Sequence, residues 1–470
     1  MLNLKISPMF DLIVIGSGPG GYVAAIRASQ LGMNTAVIER SELGGICLNW
    51  GCIPTKALLK SVQALHYATH SADYGFEIEG NVKADLTKIV ERSRGVSANM
   101  SKGIEYLFKK NKITVIQGHG KILAAGKVEV TANDGFKSEV EAGNIIIATG
   151  ARANSLPFAP IDGKKIISYR QALVPEKLPA SMAVIGSGAI GSELAYFYRS
   201  MGSEVHLIEY LDNIVPLEDE EVSAQLSRSF RKLGIKVMVS SQVKSADTSG
   251  ELCKLTVVTK KGEVIVEAEQ VLSAVGVIPN IENLGLEELG IKTERGKITV
   301  DSAYMTNVEG VYAIGDVIAT PALAHVASAE GINCVEHIAG LNPPSVNYGN
   351  IPGCTYTTPE IASVGITEKA AKEKGLDIKV GKFPFTASGK AAAAGDKDGF
   401  IKLIIDAQSD KVLGAHFIGA NVTEMISGVV VARNLGVTAR DLIHSVHPHP
   451  TMSEAIMEAA AASHGEVIHI

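Results

Sequence analysis

The sequence predicts an α/β protein that carries one strand, glycine turn and helix unit twice and ends in a separate α+β layer. The apolar run Phe10–Ile15 leads directly into Gly16-Ser-Gly-Pro-Gly-Gly21, and the apolar residues 182–185 lead in the same way into Gly186-Ser-Gly-Ala-Ile-Gly191. After residue 348 the chain has alternating segments typical of antiparallel strands. The expected fold class is therefore two Rossmann-like dinucleotide-binding domains followed by a C-terminal α+β domain.

Composition excludes several classes of protein. A chain of 470 residues has room for two or three domains, and a net charge of -6 argues against nucleic acid as a main partner. No stretch approaches twenty apolar residues, and residues 1–8 are too short for a secretory signal, so we expect a soluble, cytoplasmic protein without a membrane segment. Five cysteines do not make a disulfide scaffold, so a bonded pair in a reducing compartment is expected to be catalytic.

The first glycine turn has the spacing of a dinucleotide fingerprint. Gly16 makes the turn, Gly18 lets a pyrophosphate approach, and Gly21 allows the helix to pack on the strand. The next strand ends at Glu39, 23 residues after Gly16, where a ribose hydroxyl would be bound. The alternative for Glu39 is an ordinary carboxylate at the end of a strand.

The following segment, Gly44-Gly-Ile-Cys-Leu-Asn-Trp-Gly-Cys-Ile-Pro-Thr-Lys56, carries two cysteines, Cys47 and Cys52. In a regular helix five residues rise about 7.5 Å, which exceeds the usual Cα separation in a disulfide, so a bond between them requires a bent helix. Pro54 and the flanking glycines supply that irregularity, and a distorted disulfide suits a catalytic dithiol. Structural thiols remain an alternative, whereas zinc and iron–sulfur sites lack further ligands nearby.

The position of this dithiol indicates which nucleotide the first site binds. Two-electron transfer between a disulfide and a ring system needs contact, so a cysteine pair one loop after the first fingerprint indicates a flavin there. Lys56 is then a candidate neighbour of the flavin, with a surface lysine as the alternative.

The second fingerprint, with Gly186, Gly188 and Gly191, is followed by Glu209, again 23 residues after its first glycine. The strand end Glu209-Tyr-Leu-Asp-Asn contains no base to bind a 2′-phosphate, so NAD is expected and NADP is disfavoured. Glu193 lies in the first turn of the helix, where either helix electrostatics or a partnership with Lys56 explains it.

Further candidates lie where buried strands end in glycine. Thr149 and Gly150 close one such strand, a place where backbone approaches a ligand closely, and Gly276 closes another. Asp316 follows a third and either binds a ribityl hydroxyl or caps a helix beginning at Val317, and the segment around Ala324 comes next.

The C-terminal region predicts one antiparallel sheet, with strands at 355–364, 378–385, 400–405 and 411–418 and helices at 367–374 and 424–435. Near its end stand His444, His447 and His449. A base is favoured over a metal site here, because no aspartate or cysteine ligand accompanies the histidines and thiol chemistry needs a proton acceptor. Glu454 either orients a histidine or completes a capping box with Thr451.

Together these motifs resemble the flavin disulfide oxidoreductases over nearly the whole chain. The cysteine segment is the most specific part of the match, which also includes both fingerprints with Glu39 and Glu209, Ala148-Thr-Gly150, Ala313-Ile-Gly-Asp316, and His447-Pro-His-Pro-Thr451 with Glu454. The resemblance implies an FAD domain at 1–152 and 277–347, an NAD domain at 153–276 and a dimerisation domain at 348–470.

The resemblance also implies a homodimer whose active sites are completed across the interface. Cys47 would attack the substrate disulfide, and Cys52 would be the thiolate beside the flavin. His449 of the partner subunit would be the acid/base, supported by Glu454, while Lys56 would pair with Glu193. The reductant would be dihydrolipoyl groups on an acyltransferase or carrier subunit of 2-oxo acid dehydrogenase complexes.

Two rival functions remain within the resemblance. A glutathione-reductase-like enzyme would use NADPH, which the acid at Glu209 disfavours, and a redox-sensing flavoprotein would keep the disulfide without turnover. A mercuric reductase would have a C-terminal cysteine pair, but no cysteine follows Cys354. The chain has Gly276-Val where many members have an arginine, and His447 where small residues are common, so His447 is expected to be a spectator.

Overall fold

The structure is a computed structural model that describes residues 9–470. The segment 1–8, expected not to be a secretory signal, lies outside the described residues. Within the part described, no helix combines the length and apolar character needed to cross a membrane.

The helices, in chain order, are α1 Pro19–Gln30, α2 Gly45–Trp50, α3 Cys52–Thr69, α4 Leu86–Lys110, α5 Tyr169–Ala172, α6 Ala189–Met201, α7 Glu220–Leu233, α8 Ala324–Ile338, α9 Glu368–Glu373, α10 Gly389–Ala394, α11 Val422–Asn434, α12 Ala439–His444 and α13 Glu454–Ala462. Short 3₁₀ turns occur at Ser71–Tyr74, Gly315–Val317, Tyr348–Asn350 and Phe385–Ala387.

The strands are β1 Phe10–Ile15, β2 Thr35–Glu39, β3 Thr114–Gln117, β4 His119–Ala124, β5 Lys127–Thr131, β6 Lys137–Ile147, β7 Ala151–Ala153, β8 Ile166–Ile167, β9 Ser181–Ile185, β10 Glu204–Ile208, β11 Lys236–Met238, β12 Gln242–Asp247, β13 Cys253–Thr259, β14 Gly262–Ala268, β15 Gln270–Ser273, β16 Val277–Pro279, β17 Thr293–Glu294, β18 Lys297–Ile298, β19 Val311–Ala313, β20 Pro352–Thr355, β21 Glu360–Gly365, β22 Ile378–Pro384, β23 Phe400–Asp406 and β24 Val412–Gly419.

The chain forms two compact units. The first contains the described residues up to Ala57 together with Thr87–Asn154 and Val277–Val346, and the second contains Leu58–Leu86, Ser155–Gly276 and Asn347–Ile470. The division into four segments at 152, 276 and 347 remains a prediction.

The first unit is built on a sheet in the order β3-β2-β1-β6-β5-β4, with β19 also pairing with β6. Strands β1, β2, β3, β6 and β19 pair in parallel, whereas β4 and β5 join the N-terminal half of β6 in antiparallel pairs. The central strand β1 places Ile15 beside Ile38 on one side and Ile147 on the other. Both faces of this region are covered, which explains the uninterrupted apolar runs of β1 and β2.

The second unit contains two larger sheets. A parallel sheet in the order β11-β10-β9-β15-β8 carries the second glycine turn, and an antiparallel sheet in the order β20-β21-β24-β23-β22 follows residue 347. The expected α/β architecture with a C-terminal antiparallel layer is therefore confirmed. One detail was wrong: the segment 355–364, predicted as a single strand, contains the end of β20 and most of β21, separated by a turn at Pro359. Proline lacks the N–H that a continuous ladder needs.

A buried lysine connects distant parts of this second unit. Lys402 on β23 is 1% exposed, and its Nζ lies 2.9 Å from Asp219 Oδ1 and 2.6 Å from Glu368 Oε2. Asp219 also caps α7 through the Glu221 N–H. Burial lowers the pKa of Lys402, but the bonds to Glu368 and Asp219 outweigh it and leave that pKa raised. The N-terminus of α7 is thereby tied to the C-terminal sheet.

Candidate active site

The first glycine turn is packed too closely for any side chain. A Cβ on Gly16 would lie 2.4 Å from the Ala148 carbonyl oxygen, and one on Gly21 would lie 1.9 Å from the Gly16 carbonyl oxygen. Helix α1 begins after Gly18, which supplies no side-chain cap to the first N–H groups. An open helix N-terminus behind a tight glycine turn fits a pyrophosphate.

Glu39 is buried at the end of β2 and is held in place by this turn. Its Oε2 accepts hydrogen bonds from the Ser17 N–H at 2.9 Å and the Ser17 hydroxyl at 2.7 Å, while Oε1 accepts from the Ser41 N–H at 2.9 Å. A carboxylate oxygen has two lone pairs, so a fixed Glu39 keeps acceptor capacity for a ribose hydroxyl.

The second glycine turn repeats this arrangement. A Cβ on Gly191 would lie 2.0 Å from the Gly186 carbonyl oxygen, and α6 begins after Gly188 without a side-chain cap. Glu209 accepts from the Ser187 N–H at 2.9 Å and from the Ser187 hydroxyl at 2.7 Å. Each glycine turn together with its acid, residues 16–21 with Glu39 and residues 186–191 with Glu209, is called a nucleotide cradle below. The two cradles share the same internal contacts, as their equal spacing in sequence predicts.

One basic side chain lies near the loop after Glu209 although it is distant from that loop in the sequence. Lys260, in the turn between β13 and β14, places its Nζ 3.2 Å from Asp212 Oδ1 in the loop that follows Glu209. Because this lysine is paired with an acid, it does not alter the expectation that the second site prefers a nucleotide without a 2′-phosphate.

The two cysteines lie on either side of a helix break. Helix α2 ends at Trp50, its C-cap Gly51 has φ −145° and ψ −113°, and α3 begins at Cys52. We expected Pro54 to contribute to the irregularity, but it lies in the first turn of α3, where proline is tolerated because that N–H has no helical partner. The segment is thus two helices joined at a glycine instead of one bent helix.

This segment packs directly against the first fingerprint. The Gly44 N–H donates to the Ser17 carbonyl at 3.1 Å, and a Cβ on Gly45 would lie 2.7 Å from the Gly18 Cα. The dithiol is consequently adjacent to the first nucleotide cradle, as a partnership with a flavin requires.

Both cysteines are thiols in this structure, with Cys52 exposed and Cys47 partly buried. The hydrogen bond to the Cys52 sulfur and burial raise the pKa of Cys47, and the positive charge of Lys56 only partly opposes them. Cys52 begins α3, and the positive potential at a helix N-terminus favours a thiolate at that position.

Thr149 and Gly150 are fixed by a residue that the sequence did not single out. The Thr149 hydroxyl donates to the Asn280 carbonyl at 2.6 Å, the Asn280 amide Nδ2 donates to the Thr149 carbonyl at 3.0 Å, and the Asn280 N–H donates to the Gly150 carbonyl at 2.8 Å. Gly276 has φ +94° and no atom within 4 Å of a Cβ built on it, so its backbone conformation, not space, favours glycine.

Asp316 lies within a 3₁₀ turn, Gly315–Val317, and α8 begins only at Ala324. The alternative that it caps a helix starting at Val317 is therefore wrong. Burial raises the pKa of Asp316, and Lys297 partly offsets this shift. The turn is held by buried Glu330, whose Oε2 accepts from the Gly315 N–H at 2.7 Å.

Glu193 is buried in α6, and its Oε1 accepts from the Tyr356 N–H at 2.9 Å. Lys56 lies in α3, one turn beyond Cys52, and acts electrostatically on Cys47. The pairing of Lys56 with Glu193 remains a prediction.

The C-terminal histidine and glutamate are in contact. His449 Nδ1 lies 2.9 Å from Glu454 Oε1, and the Thr451 N–H donates to Glu454 Oε2 at 2.8 Å. Burial raises the pKa of Glu454, but the Thr451 N–H and His449 outweigh it and leave that pKa lowered. His447 Nδ1 instead lies 2.9 Å from the Ser445 carbonyl oxygen. Throughout residues 9–470, no group of three or more histidine, cysteine or acidic side chains is arranged to hold a metal ion.

The family model described as pyridine nucleotide-disulphide oxidoreductase matches residues 10–331, and the dimerisation domain of the same family matches residues 351–460. The chain belongs to this family.

Among similar proteins, this oxidoreductase is 49% identical to the dihydrolipoyl dehydrogenase of Rhizobium etli over 98% of this chain and 99% of the relative. It is 47% identical to the dihydrolipoyl dehydrogenase of Zymomonas mobilis over the same shares of both chains. The crystal structure of LpdA from Mycobacterium tuberculosis matches with a TM-score of 0.88 at 29% identity, covering 96% of this chain and 98% of that one.

Members of the family use FAD and NAD, and the two cradles of this oxidoreductase fit those groups. The contact between the cysteine segment and the first turn fits FAD there, and the acid at the end of β10 fits NAD at the second.

Proposed function

We propose that this oxidoreductase is a dihydrolipoyl dehydrogenase, also called dihydrolipoamide dehydrogenase. It would reoxidise dihydrolipoyl groups, carried on the acyltransferase or carrier subunits of 2-oxo acid dehydrogenase complexes, with NAD+ as the final acceptor. The main support for this proposal is the position of Cys47 and Cys52 beside the first cradle, in a chain 49% identical to a dihydrolipoyl dehydrogenase.

The two cysteines have different tasks. In the oxidised protein a substrate thiolate attacks the Cys47 sulfur, the Cys47–Cys52 bond breaks, and Cys52 leaves as a thiolate. The second substrate thiol then attacks the mixed disulfide, which releases the lipoyl disulfide and the Cys47 thiol. The position of Cys52 at the start of α3 supports this division, because the helix N-terminus favours its thiolate, and the pKa of Cys47 is raised. Bound FAD supplies the two-electron path from Cys52 to NAD+.

His449 of the partner subunit is the proposed acid/base. It would take the proton from the substrate thiol and return one during turnover. The contact of His449 with Glu454 supports this role, since the carboxylate fixes the orientation of the imidazole. The dimerisation domain at residues 351–460 supports the homodimer that such a shared site requires.

The remaining candidates would hold the cofactors. The proposed FAD site consists of Gly16, Gly18, Gly21, Glu39, Lys56, Thr149, Gly150, Asp316 and Ala324, with Glu193 pairing with Lys56. The proposed NAD site consists of Gly186, Gly188, Gly191, Glu209 and Gly276. A cytoplasmic location completes the proposal.

The test is a steady-state assay of the FAD-loaded protein. We expect turnover with dihydrolipoamide and NAD+, and much slower rates with glutathione disulfide and NADPH, because Glu209 opposes a 2′-phosphate. A preference for the second substrate pair would identify a glutathione-reductase-like enzyme, and absence of turnover with either pair would favour a redox sensor. Capture of a lipoylated acyltransferase would identify the complex that is served.

A further inference from the structure

The break between α2 and α3 leaves backbone carbonyls that need donors from elsewhere. Helix α2 has only six residues, so the carbonyls at its C-terminal end have no partner within the helix. Buried carbonyls without donors cost free energy, so the surrounding structure must supply them.

Helix α4 supplies one such donor, Arg94 to the Asn49 carbonyl, and also holds the cysteine segment on either side of the break. Four of its side chains donate to backbone carbonyls between residues 43 and 57: Ser101 Oγ to Leu43 at 2.8 Å, Arg94 Nη1 to Asn49 at 2.6 Å, Ser93 Oγ to Pro54 at 2.9 Å and Arg92 Nη1 to Ala57 at 2.8 Å. The two cysteines lie inside the stretch that α4 holds.

Arg94 differs from the two serines because it brings a charge as well as a hydrogen bond. Its guanidinium carbon lies 4.4 Å from the centroid of the Trp50 ring, and Trp50 Nε1 donates to Glu42 Oε1 at 3.3 Å. Stacking on the indole fixes the plane of the guanidinium. Burial lowers the pKa of Arg94 while Glu42 opposes the shift, and arginine remains charged throughout the physiological range.

The position of this charge matters for the sulfur atoms. The C-terminal end of α2 carries the partial negative charge of the helix dipole, and Cys47 and Cys52 lie on either side of that end. Negative potential there disfavours a thiolate. A cation bonded to the Asn49 carbonyl neutralises part of this potential, so it favours the reduced pair, which bears the thiolate, over the neutral disulfide.

We propose that Arg94 is a positioning residue for the cysteine pair, which holds the end of α2 through the Asn49 carbonyl and favours the dithiol over the disulfide. The inference deepens the proposed function and rests on Cys47 and Cys52 being its redox pair. Reduction by an added dithiol breaks the Cys47–Cys52 bond and forms the disulfide of the reagent. Two electrons enter the protein, one proton stays on Cys47, and the other proton of the reagent goes to solvent.

The experiment measures that equilibrium directly in the FAD-loaded dimer. Wild type, Arg94→Gln and Arg94→Lys are equilibrated with mixtures of reduced and oxidised dithiothreitol, free thiols are trapped by alkylation, and the peptide carrying Cys47 and Cys52 is weighed by mass spectrometry. We expect Arg94→Gln to shift the equilibrium about tenfold toward the disulfide, equivalent to about 30 mV for a two-electron couple. Arg94→Lys, which keeps the charge and loses the planar fork, should shift it about threefold.

Ser97→Ala is the matched control. Ser97 lies on the same helix and is fully buried, and its hydroxyl has no hydrogen-bond partner within the described chain. Its removal should leave the equilibrium within twofold of wild type. The inference is overturned if Arg94→Gln stays within twofold of wild type, or if Ser97→Ala shifts the equilibrium as far as Arg94→Gln does.

The experiment also distinguishes loss of FAD by a variant from failure of the proposed function. If Arg94→Gln does not retain FAD, the comparison of Arg94→Lys with Ser97→Ala decides, and equal equilibria would overturn the inference. Failure of the proposed function is separable, because it appears as absence of dihydrolipoamide oxidation by wild type, whereas thiol trapping needs neither lipoyl substrate nor NAD+.

Discussion

Single residues in the C-terminal segment perform two tasks at once. The sequence left open whether Glu454 orients a histidine or completes a capping box with Thr451, and the capping box is wrong, because α13 begins at Glu454 with Ser453 as its N-cap. The carboxylate still has two partners, since one oxygen contacts His449 and the other accepts from the Thr451 N–H. The hydroxyl half of the box is absent from these contacts, since Thr451 Oγ1 donates to the Pro448 carbonyl at 2.8 Å. A carboxylate with one oxygen fixed by backbone is a rigid support for an imidazole.

His449→Gln should reduce dihydrolipoamide oxidation by roughly two to four orders of magnitude, as expected when a general acid/base is removed. The FAD content should be unchanged, because the substitution is far in sequence from both fingerprints. His447→Gln is the control, since its Nδ1 lies beside the Ser445 carbonyl oxygen and not beside Glu454, so this variant should keep a near-normal rate. Equal losses in the two variants would contradict the role given to His449.

Cys52→Ser should abolish the long-wavelength absorbance that a thiolate in contact with flavin produces on partial reduction. The physical reason is that Cys52 begins α3, where the helix N-terminus favours a thiolate, while burial and the bond to Cys52 raise the pKa of Cys47. Absorbance spectra during titration with a dithiol check this, with Cys354→Ser as the control. Survival of the band in Cys52→Ser would reverse the assignment of the two thiols.

The two glycine turns are the elements on which cofactor binding depends. Gly21→Ala should lose FAD and Gly191→Ala should lose NAD binding while keeping FAD, because each new Cβ would lie within about 2 Å of a carbonyl oxygen that cannot move without opening the turn. Flavin content by absorbance and NAD binding by titration calorimetry separate the two outcomes.

Gly103→Ala in α4 is the control for both turns, since a Cβ there meets no atom within 4 Å. It should keep both cofactors. A Gly191→Ala protein that binds NAD as wild type does would show that the second turn is not the nucleotide cradle.

The local sequence pattern predicts the two glycine turns and their strands correctly. It does not predict the side chains that hold these segments from distant positions in the chain. The strands β1 and β9, both turns and the acids that follow them are visible because a fingerprint is short and its spacing is fixed. Asn280, which holds Thr149, and the α4 donors, which hold the cysteine segment, act across 35 residues or more. No periodicity in one segment reveals which remote side chain will satisfy its carbonyls.

At the scale of the whole molecule, buried acids make stability depend on pH. Burial raises the pKa of Glu218, just before α7, to about 7 from an ordinary value near 4.5, while a bond to Ser363 partly offsets the shift and Asp219 adds to it. The folded protein therefore binds more protons than the unfolded chain between these values, so stability falls as pH rises from about 4.5 to about 7 and stays lower above.

Glu218→Gln should remove the fall in folding stability that occurs between about pH 4.5 and pH 7. At pH 8 the free energy of unfolding should rise by about 1 to 3 kcal/mol, from 1.36 kcal/mol per pKa unit, whereas at pH 4.5 it should change little. Thermal unfolding of the holoenzyme at both pH values checks the prediction, with Glu263→Gln on the exposed part of β14 as the control. A Glu218→Gln protein less stable than wild type at pH 8 would show that the carboxylate is needed in its charged form.

The serine that donates hydrogen bonds to the acid in each cradle has a practical consequence for changing coenzyme specificity. Replacing Glu209 alone, to convert the enzyme to a phosphorylated coenzyme, would deprive the buried Ser187 hydroxyl of its acceptor at 2.7 Å. An engineer must therefore exchange the two residues as a pair, and the same rule would govern any attempt to retune the flavin end through Ser17 and Glu39.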